Sequence, residues 1–536
     1  LYRDDSDAKA PGARRLVGVP PTDLSRRIST SAALGLSLLY ASGYFLPLLT
    51  RMGIYLLPTR DLVRAVVGPS LVVVLVGTLG LLTASELLRR ARTPRVATVG
   101  AILLFVGLTL IALKGVMDVA GIDWQDRIPR SRELLAAQRE FKVFAGLVAL
   151  GVLWALRGRL PKVNRWLSSL GYAFAAFAVF RMLVVWSDEP PRVGVPAVQA
   201  LSARAIAATA GVTRSRRVVW VIFDEADFNR IYPTAGRRDE TLGNFDKLAA
   251  AAVFATHANA PASATLFSLP ALLTGAPLAS PGISVGASGT LSLARADGVS
   301  VPFEESRTIF GALAGRGLTA SVLGFFHPYC KLFALERCTS LPWPGTQGVA
   351  AAVTANLPGI VARKLGLVDS WSTITATLLG LLPEYLARDD ALTFVHLNVP
   401  HLPATQADVI SQRPASSDPL VEYARNLDLA DHILGDIIAA LERESARHDV
   451  MLVVSSDHWL RNRWYQADQP EVERPVPFIA WKVGDTQGTA LAQPVSTVHT
   501  EKMVLDFLDG KITTESDIAA WWRGQAYDAT FIAPRT

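Results

Sequence analysis

The chain has 536 residues, half of them hydrophobic and 19% charged, with a formal net charge of +6. This composition is too apolar for a wholly soluble protein, and the length exceeds one compact domain, so two parts of different character are expected. Much of the basic excess lies between apolar runs in the first third, where arginine orients membrane helices, so the charge makes no case for nucleic acid.

Five apolar runs precede residue 190, at about 31–50, 69–88, 96–113, 143–156 and 167–186. They lack a polar stripe and follow one another closely, which predicts a membrane domain of about five helices over 31–187. The fourth run is short for a span and borrows residues from its flanks. Arg89, Arg90, Arg92 and Arg95 follow the second run, and Arg157, Arg159, Lys162 and Arg165 follow the fourth. Both stretches are expected on the cytoplasmic side, as is the tail 1–30 with Arg14, Arg15, Arg26 and Arg27. Five crossings then place everything after Trp186 outside. The loop 118–142 also carries arginines, mixed with acids, and reads as a helix lying on the outer surface with Trp124 at the interface. The first apolar run begins too far into the chain, with no small-residue cleavage site behind it, to read as a cleavable signal peptide. A connector, 188–214, leads to a second part over 215–536.

That second part alternates apolar β-rich runs, at 218–223, 319–324, 392–399 and 450–456, with helix-like segments such as the amphipathic stretch 420–448. The pattern predicts an α/β domain with a doubly wound, largely parallel sheet. In such sheets the ligand site lies beyond the C-terminal strand ends. Asp224 and Glu225 follow the first run, His327 the second, His401 the third, and Asp457 with His458 the fourth. Each alone also has an ordinary reading, the adjacent acids as a solvated turn and a lone loop histidine as a surface residue. Together they converge, and with a hydroxyl they make an oxygen-rich, nitrogen-containing shell suited to Zn²⁺ or Mn²⁺.

The hydroxyl comes from ASATLFSLPALLTG at 262–275, where Thr265 stands at the mouth of a helix-compatible run. Backbone N–H groups and the helix dipole there favour an anion or an alkoxide. Thr is also an ordinary cap residue, so the segment by itself leaves cap and nucleophile both open. The two cysteines, Cys330 and Cys338, stand eight apart in sequence. A local disulfide in an oxidising compartment and two buried thiols are both open readings.

From about 216 to 510 the series resembles the alkaline phosphatase and sulfatase superfamily. Thr265 stands ten residues before Gly275, where a sulfatase has its Cys or Ser nucleophile, but Phe267 and Leu269 replace the Pro and Arg that formylglycine formation requires. The Thr265, Ser268, Pro270 spacing is similar instead to membrane-bound phosphoethanolamine transferases. These and the related lipoteichoic acid synthases also have five N-terminal spans and an outward-facing catalytic domain. The resemblance implies metal ligation by Glu225 or Asp224, Thr265, Asp457 and His458. It implies contact of His401, in VPHLP, with the substrate's phosphate or sulfate group. His396 has a transferase counterpart too, with a buried strand histidine as the other reading. His327 in GFFH resembles the sulfatase G-K-W-H histidine, with Phe325 in place of the lysine. The transferases' G-E-T motif and most of their periplasmic cysteines are absent.

The resemblance implies a multi-pass protein of the bacterial inner membrane with its catalytic domain on the periplasmic or extracellular side. The expected reaction is transfer of a phospho group from a membrane lipid donor, through Thr265, to a glycan or lipid acceptor. A membrane-tethered hydrolase of phosphate or sulfate esters is the nearest rival reading. A non-catalytic envelope-assembly protein that keeps the sheet is the other.

Overall fold

The computed structural model describes residues 29–45, 59–90, 160–187, 215–233, 242–285, 291–295, 298–341, 370–402, 419–461 and 474–527. The third and fourth apolar runs, the loop 118–142, most of the tail and the whole connector lie outside the described residues. The chain divides into two compact units, one built on the N-terminal helices and one taking in everything from Phe180 onward.

In the N-terminal part the first, second and fifth apolar runs give α1 (Thr30–Phe45), α2 (Thr59–Arg90) and α3 (Leu160–Ser187). Small residues let α1 approach its neighbours closely. A Cβ at Gly171 would run into the Gly35 carbonyl, and one at Gly77 would lie 2.9 Å from Ser37 Oγ. Ser168 Oγ donates to the Ala32 carbonyl at 2.9 Å, and Tyr172 OH to that of Ser31 at 2.9 Å. Small-residue contacts reinforced by hydroxyl bonds are how helices associate where apolar burial gives no drive. Among the described residues two helices, α2 and α3, are long and apolar enough to cross a membrane. Leu71, Leu75, Val76 and Leu79 on α2, and Phe177, Phe180 and Leu183 on α3, are all exposed.

Among the described residues the second part carries thirteen strands. They are β1 (Arg216–Phe223), β2 (Val253–Ala255), β3 (Ala258–Asn259), β4 (Leu278–Val285), β5 (Leu291–Arg295), β6 (Ser300–Pro302) and β7 (Ala320–Phe325). There follow β8 (Arg337–Leu341), β9 (Leu392–Leu397), β10 (Asp449–Ser455), β11 (Phe478–Lys482), β12 (Thr489–Leu491) and β13 (Val495–Ser496). Eight of them form one sheet in the order β12-β2-β11-β10-β1-β9-β7-β8. All pairings are parallel except the two made by β11, so the expected largely parallel sheet is present with one reversed strand. The four strands legible as apolar runs form its centre.

Residues 218–223 of β1 are fully buried, as a strand covered on both faces must be. Val218, Trp220 and Ile222 pack under α5 (Thr265–Thr274), α6 (Ile309–Gly315), α9 (Thr500–Leu508) and α10 (Glu515–Arg523). Val219, Val221 and Phe223 face α4 (Gly243–Ala251), α7 (Ser370–Leu386) and α8 (Pro419–Glu444). The two-residue alternation of each strand therefore feeds two separate cores, which makes the fold doubly wound. Cys330 and Cys338 form a disulfide that ties the turn after β7 to β8.

Candidate active site

The parallel strands β1, β9, β7 and β10 end on one edge of the sheet, and the residues just beyond them meet there. Asp224 and Glu225 leave β1 in different directions because Glu225 has φ 65°, a left-handed conformation that non-glycine residues rarely adopt. Three bonds hold this turn. Glu225 N donates to Asp457 Oδ1 at 3.1 Å, Ala226 N to Ser456 Oγ at 2.9 Å, and Tyr423 OH to the Glu225 carbonyl at 2.8 Å.

Asp224 turns inward. Its Oδ1 lies 3.5 Å from His458 Nε2, and Asp457 Oδ2 lies 3.4 Å from the same nitrogen. His458 Nδ1 is 2.9 Å from the Trp459 carbonyl, which can only accept, so the proton is on Nδ1 and Nε2 presents a lone pair. Burial, aided by Arg461, holds the His458 pKa well below its ordinary value and the ring neutral. Burial, with repulsion from Asp457 and Glu225, holds the Asp224 carboxyl well above the usual carboxylate range.

Thr265 is the first residue of α5. Ala264 takes the cap position, and no side chain caps the helix, so Thr265 does not act as a cap. Its Oγ1 lies 3.3 Å from His458 Nε2, to which it donates. The spacing of ten to Gly275 is the length of the helix. Gly275 ends it at φ 59°, where a Cβ would lie 2.8 Å from Glu501 Oε2.

Glu225 turns outward. The Arg461 backbone N–H donates to its Oε1 at 2.8 Å, Arg461 Nε is 3.5 Å away, and His401 Nε2 lies 3.7 Å from Oε2. Burial pushes its pKa up, but the neighbouring His401 and Arg461 outweigh this and hold it below the usual value. Trp371 stacks on the His401 ring at 5.0 Å with an interplanar angle of 11°. Among the sequence-derived candidates His327 is placed differently from expectation. It is 2% exposed, and its Nε2 is bonded to the Thr265 carbonyl at 2.9 Å, so it braces the start of α5 with that nitrogen. Burial lowers its pKa to about 4. His396 is fully buried within β9 and reaches the inner pocket rather than the outer rim.

The inner pocket suits a cation. Asp224 Oδ1, Asp457 Oδ2 and His396 Nε2 are buried without hydrogen-bond partners. Ligand atoms of these three residues lie within 4.8 Å of one another. Buried carboxylate oxygens turned towards each other and towards imidazole lone pairs are costly unless a positive ion compensates them. The donor set, carboxylates with imidazole and a hydroxyl, is that of Zn²⁺ or Mn²⁺ sites.

Several residues of the site have no sequence signature. Ser456 Oγ lies 2.7 Å from both the Phe223 and His458 carbonyls, joining the ends of β1 and β10. Tyr423 on α8, Trp371 on α7 and Arg461 after β10 complete the outer wall.

A hydroxyl at a helix start set against carboxylates and imidazoles at the C-terminal edge of a doubly wound sheet is the arrangement of the alkaline phosphatase class of α/β domains. Residues 216–510 match the sulfatase family, and the chain belongs to it. No curated protein matches the chain. Among solved structures it is similar to Ps i-CgsB, crystallised with k-i-k-neocarrahexaose, at 15% identity over 56% of this chain and 74% of that one, with a TM-score of 0.38. The periplasmic domain of the phosphoethanolamine transferase EptC from Campylobacter jejuni aligns at 15% identity over 55% and 90% of the two chains, TM-score 0.36. The lipoteichoic acid synthase LtaP from Listeria monocytogenes aligns at 11% over 55% and 72%, TM-score 0.36.

Proposed function

We propose that the chain is a membrane-anchored, metal-dependent transferase. It moves a phospholipid-derived phospho group, phosphoethanolamine or phosphoglycerol, through an intermediate on Thr265 to an envelope glycan or lipid. The observation that carries this reading is the Thr265 hydroxyl, free of any capping role at the head of α5 and 3.3 Å from His458 Nε2 in a pocket walled by Asp224 and Asp457. Asp224, Asp457 and His458, with Thr265 beside them, would hold the divalent ion, Zn²⁺ or Mn²⁺. When bound, such an ion lowers the pKa of a neighbouring hydroxyl and offsets charge on a phosphoryl group.

Thr265 Oγ1 forms a bond to phosphorus as the bond from phosphorus to the lipid glycerol oxygen breaks. The threonine's proton ends on that departing oxygen. The acceptor hydroxyl then displaces Thr265 and restores its proton. His401, 13% exposed at the rim and held flat by Trp371, is placed to contact the non-bridging oxygens. The apolar helices α2 and α3 support anchoring in a membrane, and the Cys330–Cys338 disulfide supports an oxidising compartment. The five-span topology, the bacterial inner membrane and the outward-facing catalytic domain belong to the same proposal.

Mass spectrometry of the protein from its native membrane tests the reading. An added mass on Thr265, identifying the transferred group, is expected; unmodified Thr265 together with an active Thr265→Ala variant refutes it. Membership of the sulfatase family favours a second reading, hydrolysis with water as acceptor. Phospholipid labelled in the head group separates the two, since transfer puts label on a second molecule and hydrolysis releases it into solution.

A further inference from the structure

His396 lies in the interior of β9 with no solvent exposure, and burying a polar ring is costly unless both nitrogens are satisfied. One nitrogen is. Nδ1 lies 3.2 Å from the Phe325 carbonyl and 3.0 Å from Tyr329 OH. A carbonyl only accepts, so Nδ1 carries the proton and Nε2 is left with its lone pair. Nε2 has no hydrogen-bond partner, and neither have Asp224 Oδ1 and Asp457 Oδ2 beside it.

We infer that His396 is a direct ligand of the same divalent ion as Asp224, Asp457 and His458, and that Glu225 is not. The inference rests on the metal-dependent reading above. Ligand atoms about 2.0–2.2 Å from one tetrahedral zinc ion would lie roughly 3.4 Å from one another. The ligand atoms of His396, Asp224 and Asp457 already fall within 4.8 Å of one another, close enough for a single ion to gather. The Phe325 carbonyl and Tyr329 fix the ring as the outer partners of a metal-bound histidine do. Gly324 makes room for them, since a Cβ there would lie 2.8 Å from the Tyr329 ring and 3.3 Å from His396 Cβ. Glu225, by contrast, already has Arg461 and His401 as partners on the other side of the turn. A shell with two imidazoles favours zinc over magnesium or calcium, which prefer oxygen.

X-ray absorption at the zinc edge of the zinc-loaded full chain in detergent tests the inference on the unaltered protein. Two imidazoles in the first shell are expected; a single imidazole overturns the inference while leaving the metal-dependent reading intact. A chain that takes up no divalent ion overturns both. In chelator competition with zinc, His396→Asn should weaken binding at least ~10-fold, whereas Glu225→Gln should stay within about twofold. Wild-type affinity in His396→Asn, or an equal loss in Glu225→Gln, overturns the assignment.

Discussion

Tyr423→Phe is the sharpest test of how the site is held. The Tyr423 hydroxyl is fully buried, accepts from Asp227 N at 3.0 Å and donates to the Glu225 carbonyl at 2.8 Å. Burial, with the nearby Asp227 and Glu225, raises its pKa well above the ordinary value, so the proton it donates stays in place. The substitution keeps the ring and deletes one oxygen, so no cavity larger than that atom forms. Two hydrogen bonds disappear and two buried main-chain groups lose a partner, a loss of about 2–4 kcal/mol. Relaxation of Glu225 from its left-handed conformation returns about 1 kcal/mol, leaving a net destabilisation of about 1–3 kcal/mol. For a domain of this size the melting temperature should fall by about 1.5–4.5 °C, read by tryptophan fluorescence of the full chain in detergent. Because the same turn aims Asp224, zinc affinity should fall as well. A variant that melts within about 1 °C of wild type and binds zinc equally refutes the claim that Tyr423 holds the turn.

Thr265→Ala should cut turnover of labelled phospholipid by about 10³-fold or more, while Thr265→Ser, which keeps a hydroxyl, should retain measurable activity. Asp431 on α8 accepts from Asn244 N at 3.0 Å and Phe245 N at 2.9 Å, serving the start of α4, whose own cap residue Leu242 supplies no side-chain bond. Asp431→Ala should therefore cost about 1–3 kcal/mol, visible as a lower denaturation midpoint. Glu501 is pushed above the usual glutamate range by burial, so the folded chain binds its proton more tightly than the unfolded chain. Its contribution to stability is full below about pH 4.3 and is lost as pH rises through the raised value. Wild type should lose stability relative to Glu501→Gln over that window, as measured by melting temperature against pH.

The centre of the sheet was legible because β1, β7, β9 and β10 are covered on both faces and so read as continuous apolar runs. The strands on the β12 side were not. β2 and β12 have three residues each, too few for any period, and the five-residue β11 enters the sheet reversed, by antiparallel pairing to β10 and β2. The acids and imidazoles of the site were legible for a topological reason, since strand ends of a doubly wound sheet converge. Ser456 and Tyr423 were not, because each acts through one hydroxyl on a residue about two hundred positions away in the chain.

The choice between Asp224 and Glu225 shows where sequence reading must stop. Both are carboxylates, adjacent, at the same strand end, and chemistry alone gives either of them a claim on a cation. What separates them is the sign of one backbone angle, +65° at Glu225. That angle is imposed by Asp457 and Ser456 at the end of β10 and by Tyr423 on α8, none of them near in sequence. With the turn held so, Asp224 is driven into the buried pocket with His458 and Asp457, while Glu225 is given to Arg461 and His401 at the rim. One strand end thereby sends two carboxylates to separate places: the inner one into the buried pocket beside Thr265, His458 and Asp457, and the outer one to Arg461 and His401 at the rim.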